Sequence, residues 1–305
     1  MTAARRRGGC GRTLALLAGL VLLFALAALW LLRAPRGARP VSLPPPPSAT
    51  PLPTPRPTTP PPAPRPSAVP SDFEAAEGTG RGAVAVVIDD VGNADGSLAR
   101  LERLSGPLAI AVLPGAPLAR EAAALAKRKG WDLLVHLPMA GARGPVEPGT
   151  ISSDDDDATI ARRVGEAIAA VPGATGLNNH QGSIATADRR VVRAVLSVVR
   201  DRGLFFLDSK TSAASVAAEE ARALGLATLP RDVFLDDARA EAMAAGGAPE
   251  ALGAAWTRAL ALAGAKGHAV VIGHPHAATV DFLALRLPEL PARGVLRVKV
   301  SALVD

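Results

Sequence analysis

Ala83–Gly92 reads AVAVVIDDVG, six consecutive apolar residues that stop on two adjacent carboxylates, Asp89 and Asp90. A valine- and isoleucine-rich run that is apolar on both faces is what a parallel strand covered on both sides requires. The acidic pair then stands at its carboxyl end, where α/β proteins keep their chemistry. Neighbouring strand residues point to opposite faces, so at a loosened strand end one carboxylate coordinates a cation while the other serves as a base. The same residues also fit a plain strand followed by an Asp-rich turn, and the other strand ends have to decide between the two.

Outward from this stretch, apolar strands alternate with alanine-rich helical segments, the pattern of a parallel α/β fold. Strands are expected near Ala83–Asp89, Leu108–Leu113, Asp132–Leu137, Thr175–Asn179, Leu204–Asp208, Ala227–Phe234, Ala269–Ile272 and Val295–Val300. Helices are expected near Gly96–Leu104, Pro117–Lys129, Ala158–Ala170, Ala187–Arg202, Ser212–Leu224, Pro249–Ala263 and Val280–Leu290. The repetition favours a β/α barrel of about seven strands over an open sheet. The four acids Asp154–Asp157 precede a helical segment and suit its positive end, as a cap and solvated loop rather than a calcium site.

In a barrel all strand carboxyl ends open on one face. Those ends carry His136 in DLLVHLPM, Asn178, Asn179 and His180 in TGLNNHQGS, Asp208 in LFFLDS, and His274 and His276 in HAVVIGHPH. Four of the five histidines thus converge with Asp89 and Asp90 on one rim. One aspartate and two imidazoles leave coordination positions open on zinc, and an open position lets the ion bind water and lower its pKa. The expected ligands are Asp90, His136 and His180, with Asp89 as the base that takes a proton from water. His274 is the expected acid that protonates a leaving amine. Asp208 and Asp232 are expected to orient an imidazole, and Asn179 and Ser183 to donate hydrogen bonds to substrate.

The first eighty residues read differently. Arg5, Arg6, Arg7 and Arg12 precede an unbroken apolar run, Leu14–Leu32, closed by Arg33. At ~1.5 Å per residue that run reaches about 28 Å, close to the hydrocarbon thickness of a bilayer. Residues 1–13 are therefore expected to be a cytoplasmic basic N-terminus and 14–32 a single-pass inner-membrane anchor, with residues 81–305 exported to the periplasm. Between them, residues 33–80 are dominated by proline, as in SLPPPPSATPLPTPRPTTPPPAPRP, a composition suited to an extended, disordered stalk. The net charge of +6 has its arginine excess largely in this N-terminal region, and aromatics make up only 3% of the chain. Nucleic-acid binding is therefore not expected. The single cysteine, Cys10, excludes an intrachain disulfide and a cysteine-built zinc site.

The ordered set VVIDD, VHLPM, GLNNHQGS, LFFLDSK, RDVFLD and VIGHPH, spanning Arg81 to Asp305, resembles the divergent polysaccharide deacetylase family. The resemblance implies a deformed β/α barrel with the chitooligosaccharide-deacetylase fold, a divalent metal at its mouth, and a cell-envelope polysaccharide such as peptidoglycan as partner. In ordinary polysaccharide deacetylases the first member of the aspartate pair is the base and the second a metal ligand, which places those roles on Asp89 and Asp90. The family's closing motif carries a histidine acid, matched by His274. Two departures stand out. Ordinary members hold the metal with histidines four residues apart, whereas His136 is followed at that spacing by Ala140. The arginine-proline motif of the fourth strand is replaced by Asn178, Asn179 and His180. The resemblance thus implies either a metal-dependent hydrolase of amide bonds or an inactive glycan-binding or scaffold protein that retains the pocket.

Overall fold

The computed structural model describes residues 82–93, 96–236 and 248–304. The anchor and stalk expected over residues 14–32 and 33–80 lie outside them. Among the described residues no helix is long and apolar enough to cross a membrane.

The described chain is a parallel α/β half-barrel. Its strands are β1 (Ala83–Val91), β2 (Ala109–Val112), β3 (Asp132–Met139), β4 (Gly176–Gln181), β5 (Phe205–Asp208), β6 (Thr228–Pro230), β7 (Val233–Phe234), β8 (His268–Gly273) and β9 (Leu296–Arg297). They run in the order β6-β5-β4-β3-β2-β1-β8-β7, and β9 pairs with the start of β1. The helices are α1 (Ser97–Leu101), α2 (Ala119–Lys129), α3 (Asp157–Ala170), α4 (Arg189–Asp201), α5 (Ala217–Ala223), α6 (Ala248–Lys266) and α7 (Ala277–Arg286).

The expected single strand Ala227–Phe234 is two strands, and they lie at opposite ends of the sheet. β6 pairs with β5, and β7, two residues later, pairs with β8. The break falls at Arg231 and Asp232, whose N–H groups donate to the carbonyls of Asp208 and Val270 respectively. One short stretch of chain therefore bridges the two sheet edges, which is the deformation of this barrel. The expected last strand, Val295–Val300, also shortens. After β9 the chain turns into a 3₁₀ helix, Val300–Leu303.

Strand parity sorts the side chains into two apolar layers. Val84, Val86 and Ile88 of β1 pack with Leu125, Ile160, Val195 and other helix residues in the outer layer. Ala85 and Val87 join Leu134, Phe205, Leu207, Val270 and Ile272 in the inner layer, where Val300 and Leu303 pack against them. The outer layer is near-continuous because α2, α3, α4 and α6 cover the sheet with apolar faces. Of the four acids before α3, Asp156 is its N-cap and accepts from Thr159 N–H at 2.7 Å. Asp155 accepts from Ser152 N–H and pairs with Arg163.

Candidate active site

The inner layer ends in polar groups at the carboxyl rim, and the same alternation selects them. Inward positions 134 on β3, 207 on β5 and 272 on β8 are followed two residues later by His136, Ser209 and His274. On β4, outward Leu177 is followed by inward Asn178, outward Asn179 and inward His180. β1 departs from the alternation. Its register against β2 shifts between Ile88 and Val91, and Asp90 takes a left-handed backbone with φ 55°. This extra residue is a bulge, and it lets two consecutive carboxylates face the same interior, which a regular strand forbids.

Asp90 Oδ1 stands 3.1 Å from His136 Nε2 and 3.0 Å from His180 Nδ1, and the two ring nitrogens are 3.2 Å apart. A tetrahedral zinc with bonds of 2.0–2.1 Å separates its ligand atoms by about 3.3 Å. Asp90 Oδ1 is buried and has no hydrogen-bond partner aligned with it. A buried anionic oxygen facing two imidazole nitrogens, with that spacing, fits a divalent cation. Burial pushes the Asp90 carboxyl up, yet the flanking His136 and His180 rings hold it well below the ordinary carboxylate range.

Asp89 is buried, and burial raises its carboxyl above the usual value although His136, His274 and Asn178 oppose the shift. Its Oδ2 lies 3.7 Å from His136 Nε2. His274 Nε2 lies 3.8 Å from Asp90 Oδ2. Burial works against a charged His274 ring, but its hydrogen bond to Asp236 prevails and raises the pKa to about 9.

Three positions expected from the sequence are engaged elsewhere. Asp208 points outward, as parity requires, and accepts from Lys210 N–H and Ser215 Oγ–H. Asp232 lies below the rim, at the level of Val270, and accepts from its N–H and from Lys266. The carboxylates that meet the rim imidazoles are instead Asp89, Asp90 and Asp236. Asn179 is buried and clamps the loop, donating to the Gln181 carbonyl and accepting from Ser209 N–H. Ser183 accepts from Ala142 N–H and lines a cleft of about 370 Å³ with Gly141, Arg143, Gln181 and Thr211. His276 is exposed just before α7.

Two residues carry what the sequence reading assigned elsewhere. Asp236 holds His274, its Oδ1 2.9 Å from Nδ1 and its Oδ2 accepting from His274 N–H and Thr279 Oγ–H. Asn178 links His136 to Asp89, with 2.8 Å contacts on both sides. Parity along RDVFLDD and GLNNH was the available signal for both. Among the described residues the non-glycine residues with positive φ are Asp90, Gln181 and Lys210, at or just after the ends of β1, β4 and β5. Backbone strain of this kind gathers where a site demands it.

A parallel half-barrel whose carboxyl rim gathers a carboxylate and imidazoles around one point, with a second carboxylate and a third imidazole beside it, has the layout of a polysaccharide-deacetylase-like domain. The chain belongs to the divergent polysaccharide deacetylase family, whose sequence model matches residues 86–304. It is 35% identical over 225 residues to the uncharacterized protein YibQ of Escherichia coli strain K12, covering 73% of this chain and 68% of that one. It is 34% identical over 209 residues to an uncharacterized protein of Haemophilus influenzae, covering 68% of this chain and 72% of that one. The fold is similar to the crystal structure of the uncharacterized protein ATU2773 from Agrobacterium tumefaciens, with a TM-score of 0.68 and 22% identity, covering 77% of this chain and 98% of that one.

Proposed function

We propose that this chain is a metal-dependent hydrolase that removes an acetyl group from a cell-envelope glycan such as peptidoglycan, with Leu14–Leu32 anchoring it to the membrane and the domain in the periplasm. The observation that carries this reading is the triangle of Asp90 Oδ1, His136 Nε2 and His180 Nδ1, with edges of 3.0–3.2 Å around a buried oxygen that lacks an aligned donor. Asp90, His136 and His180 would hold the cation, zinc by the chemistry of an N,N,O donor set. A cation there supplies Lewis acidity, polarising the acyl carbonyl and making water easier to deprotonate.

The remaining steps belong to side chains. Asp89, made more basic by burial, takes the proton of the attacking water. His274 carries a proton at neutral pH because Asp236 stabilises its charged form, and it delivers that proton from Nε2 to the leaving nitrogen. The base lies beside His136 and the acid beside Asp90 Oδ2, so separate groups serve the addition and the expulsion of the amine. The cleft lined by Gln181 and Ser183, whose Gln181 side chain contacts His180, offers space for a neighbouring sugar.

The test is acetate release by the full-length chain, purified with zinc, from peptidoglycan and from chitooligosaccharides. Turnover is expected with one of them, and Asp89→Asn is expected to abolish it with bound metal unchanged. Stoichiometric metal with no acetate from either substrate would support a glycan-binding protein instead.

A further inference from the structure

The side chain of Asn178 is fully buried and every one of its polar atoms is engaged. Its Nδ2 donates to Asp89 Oδ1 at 2.8 Å and to Ser209 Oγ at 3.2 Å, and its Oδ1 meets His136 Nδ1 at 2.8 Å. The backbone places it there directly, because Asn178 is the register partner of His136 across β3 and β4. The two side chains therefore lie side by side on the inner face.

We propose that Asn178 is the positioning residue of this cluster: its amide oxygen takes the hydrogen of His136 Nδ1, so that His136 meets a cation through Nε2, the nitrogen that faces Asp90 and His180. The amide turns its NH₂ toward Asp89 Oδ1 and Ser209 Oγ and its oxygen toward His136 Nδ1. That oxygen only accepts, so His136 Nδ1 carries a hydrogen. A ring binds a cation through a lone pair, and with a hydrogen held at Nδ1 that lone pair has to be at Nε2. The same amide holds Asp89 by Oδ1, which leaves Oδ2 on the side of His136 Nε2, 3.7 Å away. One neutral side chain thus orients both the base and a ligand without adding a charge to a buried site.

Its value for turnover rests on the hydrolase reading; the tautomer does not. Selective ¹⁵N-histidine labelling of the zinc-loaded full-length chain is expected to show His136 with a hydrogen on Nδ1 and the metal on Nε2. Asn178→Leu, close in size and without polar atoms, is expected to mix the tautomers and weaken cobalt(II) binding by about 10- to 100-fold in a competition titration. Asn178→Asp keeps an acceptor for His136 Nδ1 but no donor for Asp89. It is expected to restore cobalt affinity to within about tenfold of the parent while turnover stays low. A parent chain that binds no zinc, or that holds it on His136 Nδ1, would overturn the proposal, as would parent-like cobalt affinity in a folded Asn178→Leu. Should Asn178→Leu fail to fold, the parent spectrum decides. A correct tautomer with no acetate release would sink the hydrolase reading and leave Asn178's role standing.

Discussion

Two clusters of the same composition, one aspartate and two histidines each, adjoin at the rim, one on β1, β3 and β4 and the other just after β7 and β8. In the cluster of Asp90, His136 and His180, a carboxylate oxygen faces two ring nitrogens and has no hydrogen-bond partner aligned with it. In the cluster of Asp236, His274 and His276, the three ligand atoms also come within 4.8 Å of one another. There, however, both Asp236 oxygens are satisfied by His274 Nδ1–H, His274 N–H and Thr279 Oγ–H, and His276 turns to solvent. Phe234 stacks on the His274 ring at 5.3 Å and the Arg231 guanidinium lies 4.3 Å from the same Phe234 ring. Residue type alone would call both metal sites. Hydrogen-bond accounting separates them: a cation belongs where lone pairs are left over, and a proton is held where each acceptor already has its donor.

The sharpest way to break this contrast is to remove one member from each cluster. His136→Ala is expected to lower zinc affinity by more than about 100-fold, beyond the range for residues that only support a ligand, and to abolish turnover with it. His276→Ala is expected to leave zinc content unchanged. Elemental analysis of the purified variants checks both, and zinc lost from His276→Ala but kept in His136→Ala would reverse the assignment. His274→Gln comes next in size. Loss of a general acid is expected to lower the rate by roughly 10²–10⁴-fold with metal retained.

A smaller effect concerns pH. His274 has to be protonated to act as an acid, so activity is expected to fall as pH rises through about 9. Asp236→Asn removes the carboxylate that favours the charged ring, and the alkaline limb is expected to move down toward the ordinary histidine value of ~6.5. Stability follows with the same sign. A raised folded pKa gives a contribution that is complete below the unfolded value and is lost as pH climbs through the folded one. The parent chain's melting advantage over Asp236→Asn is therefore expected to shrink between about pH 6.5 and 9. An alkaline limb that stays at pH 9 in Asp236→Asn would show that the acid is another group.

The contrast also explains what could be read from the chain alone. The apolar runs of β1, β3 and β8, with an acidic pair at the end of β1 and histidines at the ends of β3 and β8, announced a parallel fold and a polar rim, because burial on both faces leaves little sequence freedom. Asp208 and Asn179 were legible as polar strand-end residues, but their parity, set by Phe206 and Leu177 in the outer layer, turns them away. Asp236 was hidden because RDVFLD reads as one strand, whereas the chain crosses from one sheet edge to the other at Arg231 and Asp232. The bulge at Asp90 left no local mark beyond the two adjacent acids. Its backbone is selected by register against β2, a relation between distant segments.

The smallest expected effect sets a floor for the others, since a change that merely loosens the fold has to be told apart from one that empties a site. Asp156 caps α3 from the surface, and hydrogen bonding to Thr159 holds its carboxyl below the usual range. Asp156→Ala removes the cap and is expected to lower Tm by ~2–4 °C, the size of one lost helix cap in a domain of this length. A depressed folded pKa gives stability that is present above the unfolded value and lost as pH falls through the folded one. The Tm gap between parent and Asp156→Ala is therefore expected to close on acidification below about pH 4, the opposite sense to the Asp236 pair. Zinc content and the alkaline limb should not move. If they did, the two clusters at the rim would be responding to general loosening of the fold, and the effects expected for His136, His274 and Asp236 would lose their local meaning.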